Sequence, residues 1–228
     1  MNLELKNKNA LVCGSTQGIG MATAILLAGE GVNVTLIARN EEKLRKIVAQ
    51  LPNENQCHGY LIADFSKPKE LKEVLEGSDL QFHILVNNTG GPAGGPIFNA
   101  TIEEFESAFT QHLKCNHILV QSLVPFMKTQ CFGRIINVIS TSVKQPLDGL
   151  GVSNTIRGAV ASWSKTLANE LGEFGITVNN VLPGATETER LKEIISNKAS
   201  KTGMSIEAVV TAMKNTSPAK RFAKPEEV

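Results

Sequence analysis

Gly14-Ser15-Thr16-Gln17-Gly18-Ile19-Gly20 follows a short β-rich run, Ala10 to Cys13, and opens a helical pattern. Glycines at these positions let the backbone approach a phosphate closely, and the free N–H groups and dipole of a helix start favour its charge. Placed between a first strand and a first helix, the trio points to the pyrophosphate of a dinucleotide; the alternative is a purely structural turn. The residue that sorts dinucleotides lies about 20 positions further on, where an acidic side chain would bind a ribose 2′-hydroxyl. Arg39 stands there. A guanidinium pairs with a 2′-phosphate and gains nothing from a bare hydroxyl, so NADP(H) is favoured over NAD(H), unless Arg39 is a solvated residue opening the next helix.

A helical stripe supplies a third candidate. Ile102, Phe105, Phe109, Leu113, Asn116, Val120, Leu123 and Met127 recur at helical spacing, which sets one carboxamide in an apolar face. A buried Asn needs partners: neighbouring backbone satisfies it, or it serves a site. His112 lies one turn earlier and shares part of that face, while His117 points about 100° away. Both read as packing or surface residues, and His58 and His83, which flank strands, read as structural.

Positioning these groups falls to β-rich runs that alternate with helical patterns: Ala10 to Cys13, Val32 to Ala38, Gly59 to Ala63, His83 to Asn87, Arg134 to Ile139 and Ile176 to Val181. Between them Leu44, Ile47, Val48 and Leu51 recur at helical spacing, as do Ile156, Val160, Trp163, Leu167 and Leu171. Repeated βαβ units predict an α/β fold, a three-layer doubly wound parallel sheet of the Rossmann type with helices on both faces. At 228 residues the chain suits one domain over residues 1–228. Beyond Pro183-Gly184 the pattern turns polar and weakly helical, Thr188 to Asn197 and Ser205 to Lys214, either a lid over one sheet edge or a solvated excursion.

Acidic and basic residues nearly cancel, for a net charge of +1, and no basic run stands out, which argues against a nucleic-acid groove. No apolar stretch approaches the roughly 18 residues of a membrane span, and the polar start lacks a signal-peptide core. Cys13, Cys57, Cys115 and Cys131 are scattered, with no CxxC or Cys/His cluster. They read as buried thiols in a reducing cytoplasm, without a disulfide frame or a metal site.

With these residues in view, the chain resembles the classical short-chain dehydrogenase/reductase family, and its 3-oxoacyl-carrier-protein reductase branch most closely. Gly14, Gly18 and Gly20 match the family's TGxxxGxG, with Cys13 in place of Thr; Asn87-Asn88-Thr89-Gly90 stands for NNAG. The resemblance assigns Asp64, with Phe65 beside it, to the adenine, and Ser15, Gln17, Ile19, Asn88 and Gly90 to the cofactor. It makes Asn116 and Ser140 members of the catalytic tetrad, and Pro183, Gly184 and Thr188 the PGxxxT segment around the nicotinamide.

The departure falls on the tetrad's other half. Counting 13 residues on from Ser140, or back from Leu167 to Leu171, the family's YxxxK coincides with Ser153-Asn154-Thr155-Ile156-Arg157. The only tyrosine, Tyr60, lies on the third strand, far from this helix. In the family the Tyr protonates the alkoxide, and a serine hydroxyl is a weaker acid and shorter by a ring. Arg157 keeps the positive charge one turn from Ser153 and could hold the nicotinamide ribose. The resemblance extends to a divergent subgroup that carries SN-x-x-R with a Gly/Pro-rich loop like Gly90 to Pro96.

Two functions compete, with a third in which nothing binds. One is an NADP-dependent oxidoreductase that reduces a carbonyl or an activated double bond, with water or Ser153 relaying the proton. The other is a cofactor-binding protein without turnover, a sensor or supporting subunit. The expected partners are a small-molecule substrate and copies of the chain in a homodimer or homotetramer, since the helices over 101–130 and 152–173 resemble the family's tetramer-forming pair. Pro218 to Val228 resembles the stretch before the family's penultimate helix, so a natural chain longer than this one is expected to add a few tens of residues completing the sheet and one oligomer interface.

Overall fold

The structure, a computed structural model, describes residues 2–79 and 81–228. Six strands, β1 (Asn9–Cys13), β2 (Asn33–Ala38), β3 (Gly59–Ile62), β4 (Ile84–Asn87), β5 (Gly133–Val138) and β6 (Ile176–Val181), form one parallel sheet in the order β3-β2-β1-β4-β5-β6. The expected strands lie within a residue of these limits. They alternate with helices α1 (Gly18–Gly29), α2 (Glu41–Val48), α3 (Pro68–Glu76), α4 (Ile102–Phe109), α5 (Cys115–Thr129), α6 (Gly151–Leu171), α7 (Glu189–Thr202) and α8 (Ile206–Thr216).

Alternate strand residues feed two cores. Leu11, Leu85, Ile135 and Val178 pack under Leu71, Leu119, Leu123 and Leu167 of α3, α5 and α6. Val12, Val34, Leu36 and Val86 pack on the other face against Ala24, Ala28, Leu44 and Ile47 of α1 and α2. The period of two thereby yields the doubly wound, three-layer Rossmann arrangement, whose chain order reverses between β1 and β4. Ligands of such sheets bind at that crevice, outside the carboxyl ends of the strands.

The stripe from Ile102 to Met127 is not the single apolar face expected. A π turn at Thr110–Lys114 separates α4 from α5, and its wider turn shifts the helical phase. Ile102 and Phe109 are consequently 68% and 46% exposed, while Ala108 and, beyond the turn, Cys115, Asn116, Leu119, Val120, Leu123 and Met127 face inward. The cysteines also divide. Cys13 and Cys115 are buried, but Cys57 and Cys131 are exposed because they lie in connections leading to β3 and β5, which no layer covers.

Helices α7 and α8 are no solvated excursion. Leu191, Ile195, Val209 and Phe222 give them a small core of their own. From it the Arg190 guanidinium donates to Pro92 O and Lys201 Nζ to Gly94 O at 2.9 Å, which ties the segment to the loop after β4. Among the described residues, no helix is long and apolar enough to cross a membrane.

Candidate active site

The glycine loop is shaped by contacts that only glycine permits. Gly14 (φ +58°) and Gly18 (φ +54°) hold left-handed conformations, and a Cβ at Gly14 or Gly20 would run into Asn88. Asn88 in turn clamps the loop to the sheet, its Nδ2 donating to Cys13 O (3.3 Å) and Gly14 O (3.4 Å). Gln17 precedes α1 without capping it, and the first turn has no acidic residue, so the leading N–H groups meet no side-chain acceptor there. Ser15 Oγ is fully buried and has no partner. Exposed Gln17 and half-buried Ile19 complete the loop; Ile19 packs against the β2-side core.

Arg39 and Asp64 stand at the carboxyl ends of β2 and β3. Arg39 is exposed. Partial burial pushes the Asp64 carboxyl up, but bonds from Ser66 N and Oγ, with the Arg39 and Lys67 charges, outweigh it and hold the group below its usual range. The Phe65 side chain is in the α3-side core and its carbonyl accepts from Cys115 Sγ at 3.1 Å, which leaves its backbone N–H as the group that could meet a cofactor. Gly90 and Gly184 are exposed, with nothing within 4 Å of a notional Cβ. Pro183 O accepts from Thr141 N (3.4 Å), and Thr188 caps α7 through Leu191 N (3.3 Å) while its methyl lies against Gly18.

These residues fit a dinucleotide. The uncapped helix start and orphaned Ser15 hydroxyl offer donors to a pyrophosphate, and Arg39 offers a guanidinium to a 2′-phosphate.

The other half of the site is built around α6. Its first turns carry Ser153, half-buried, and Arg157, 9% exposed, one turn apart on one face. Arg157 Nη1 donates to Val138 O at 3.0 Å, two residues before Ser140. Burial, with Arg190 nearby, pushes its pKa down to about 10, so the guanidinium stays charged at neutral pH. Ser140 Oγ accepts from Ser142 N at 3.1 Å. Asn116 is buried and its Oδ1 finds no donor, so neighbouring backbone does not satisfy this carboxamide as a core Asn would require. Tyr60 is on β3, the opposite edge of the sheet from β6, and donates to Glu41 Oε1 at 3.1 Å.

Other residues escape a one-dimensional reading. Asn87, Asn137 and Asn180 stand in register on three neighbouring strands. Asn87 Nδ2 donates to Asn137 Oδ1 (2.8 Å), and Asn137 Nδ2 to Ser164 Oγ (2.9 Å), which locks α6 to the sheet behind Ser153 and Arg157. An amide at or near the end of each of three strands was the available signal. Asn154 fastens the loop before α6, donating to Leu147 O at 2.9 Å. Gly151 packs on the Ile97 backbone, where a Cβ would not fit, and donates to Gly95 O at 3.1 Å. Two clefts, of about 550 and 330 Å³, flank the loop at Ala93; Arg190 and Lys192 line the larger, and Lys201, Glu104 and Val152 the smaller.

With this geometry in view, residues 8–199 match the model of the short chain dehydrogenase family. A protein named as ketoacyl reductase of the monensin polyketide synthase, from Streptomyces virginiae, is 33% identical over 96% of this chain and 86% of its own. The D-beta-hydroxybutyrate dehydrogenase of Rhizobium meliloti is 30% identical over 97% of this chain and 88% of its own. L-sorbose reductase from Gluconobacter frateurii, solved with NADPH and L-sorbose, superposes with a TM-score of 0.89 at 29% identity over 100% of this chain and 88% of its own.

Proposed function

We propose, from the premise that this chain belongs to the short chain dehydrogenase family, that it is an NADPH-dependent reductase of the divergent 3-oxoacyl-reductase-like subgroup. Its acceptor is a carbonyl, 3-oxoacyl-like, or an activated C=N or C=C bond. The observation that carries this reading is a pair of buried polar atoms without partners, Ser15 Oγ in the glycine loop after β1 and Asn116 Oδ1 in the first turn of α5. Structural relatives support the cofactor: the L-sorbose reductase complex holds NADPH, as does an actinorhodin polyketide ketoreductase 27% identical to this chain.

The bound dinucleotide would supply the hydride. Gly14, Ser15, Gln17, Gly18, Ile19 and Gly20 would hold its pyrophosphate, Arg39 the 2′-phosphate, and Asp64 with the Phe65 backbone the adenine. Asn88, Gly90, Pro183, Gly184 and Thr188 would border the nicotinamide, whose ribose hydroxyls Arg157 would bind while anchored to Val138 O. Ser140 would orient the acceptor oxygen, and Asn116 would hold a water that relays protons. Ser153 or that water would deliver the proton; an iminium acceptor already carries the activation that a strong acid would otherwise provide.

A second reading, a nucleotide-binding pseudoenzyme or regulatory subunit, is favoured by one observation: the one tyrosine is committed to Glu41 on the far edge of the sheet. Fluorescence titration with NADPH and NADH, followed by NADPH oxidation over ketones, 3-oxoacyl thioesters and imines, separates the two. Turnover of a panel member supports the reductase; tight NADPH binding with none above background favours the second reading. Assembly into a homodimer or homotetramer through α4, α5 and α6, and a cytoplasmic setting that keeps the Cys13 and Cys115 thiols reduced, complete the proposal.

A further inference from the structure

One buried titratable group has no role in the mechanism above. His112 sits in the π turn, 1% exposed, in front of Asn116. Its Nδ1 is 2.6 Å from Thr89 Oγ1, in the segment that follows β4, while its Nε2 is buried without a partner. The π turn packs against α6, the helix of Ser153 and Arg157. Arg190 reaches the same loop from above, its guanidinium lying against Gly91 and bonded to Pro92 O. His112, Arg157 and Arg190 thus gather about residues 89–92. Orphaned polar atoms on His112 and Asn116, one turn apart on the same helix, are the mark of a site that receives a polar group.

We propose that His112, in place of Ser153 or water, supplies through Nε2–H the hydrogen bond and proton to the acceptor oxygen. The inference rests on the reductase reading. As hydride adds to the carbonyl carbon, the C=O π pair moves onto oxygen and the Nε2 proton passes to it. The Thr89 hydroxyl hands its proton to Nδ1, so the imidazole ends neutral as its other tautomer, and water restores the Thr89 proton. Burial, with the Arg157 and Arg190 charges, holds the imidazole well below its usual range and so in the neutral form that this exchange uses. Neutral imidazole as an electrophile has a precedent in enzymes that polarise carbonyl groups.

The test measures NADPH affinity by fluorescence and kcat and KM over ketones and 3-oxoacyl thioesters for the wild type, His112→Leu, His112→Gln and Thr89→Val. The expected result is a kcat fall of about 100-fold in His112→Leu, and of about tenfold in His112→Gln, which keeps a donor but cannot relay, and in Thr89→Val, with NADPH affinity and KM within about threefold. Should His112→Leu fail to fold, the other two variants carry the test. A kcat within twofold of wild type in both overturns the proposal and leaves the reductase reading standing. An NADPH-bound wild type that turns over no panel member overturns the proposal and the catalytic reading together, and absence of NADPH binding removes the cofactor assignment beneath both.

Discussion

The two halves of the crevice are made differently. On the β1–β3 side, the features that would hold a nucleotide are largely backbone: left-handed glycines, an uncapped helix start and a strand end carrying Arg39. On the β4–β6 side, they are side chains from four separate segments, Thr89, His112 with Asn116, Ser140, and Ser153 with Arg157, held by an asparagine network that crosses two strands. A backbone cradle tolerates no change in residue type at its glycines. A side-chain cluster tolerates replacement of one member if another group reaches the same place. On the proposed reading, that difference would let a chain keep a nucleotide loop while Ser153 stands where the resemblance expects a tyrosine.

The sharpest way to break the comparison is Gly14→Val. A β-branched side chain at φ +58°, driven against the Asn88 backbone, is expected to destabilise the fold by about 2 to 4 kcal/mol and to abolish NADPH binding. Urea unfolding and fluorescence titration measure both, and wild-type values would mean that the loop is not the rigid cradle described. On the side-chain half, Ser153→Tyr with Arg157→Lys restores the family's pair and is expected to raise kcat about 100-fold on a panel ketone. No gain on any panel substrate would show that more than an acid separates this site from its relatives.

Arg39→Ala should weaken NADPH binding about 30-fold, roughly 2 kcal/mol, and leave NADH affinity and thermal stability unchanged, since the residue is exposed. Equal losses for both nucleotides would remove Arg39 from the 2′-phosphate. The smallest effect concerns pH. His112 titrates below its usual range because of burial and two nearby guanidinium groups, and His83 does so through burial and Lys8. Below about pH 6.5 the unfolded chain therefore binds protons that the folded chain does not, so stability present at neutral pH is lost on acidification, by at most ~1.4 kcal/mol per pH unit for buried His112 and by less for the more exposed His83, where solvent screens the effect. Urea unfolding at pH 7.0 and 5.5 should show a shallower loss in His112→Gln than in the wild type; equal losses would mean that His112 is neither desolvated nor near the two arginines.

The sheet was legible in one dimension because its central parallel strands, buried on both faces, are near-continuous apolar runs, and the edge strands β3 and β6 still stand out as short β-rich runs against the helical spacing between them. The positions of the glycine loop and of Arg39 at strand ends were legible because each depends only on short-range sequence. The helical stripe was misread because apolar spacing does not reveal a π turn, whose one wider loop moved Ile102 and Phe109 to the surface and His112 inward. The burial of the Phe65 side chain was not legible, because adjacency to Asp64 says nothing about which way a side chain turns.

What the amino-acid sequence determined by itself was the α/β architecture, the glycine turn between β1 and α1, and the presence of Ser153 and Arg157 one turn apart on α6, all properties of residue type and short spacing. Tertiary structure alone decided that Asn87, Asn137 and Ser164 form one chain of hydrogen bonds, that α7 fastens to the loop after β4, and that His112 meets Thr89. Such contacts join residues 23 to 98 positions apart, and strand register and helix phase, not local propensity, select which side chains meet across those distances.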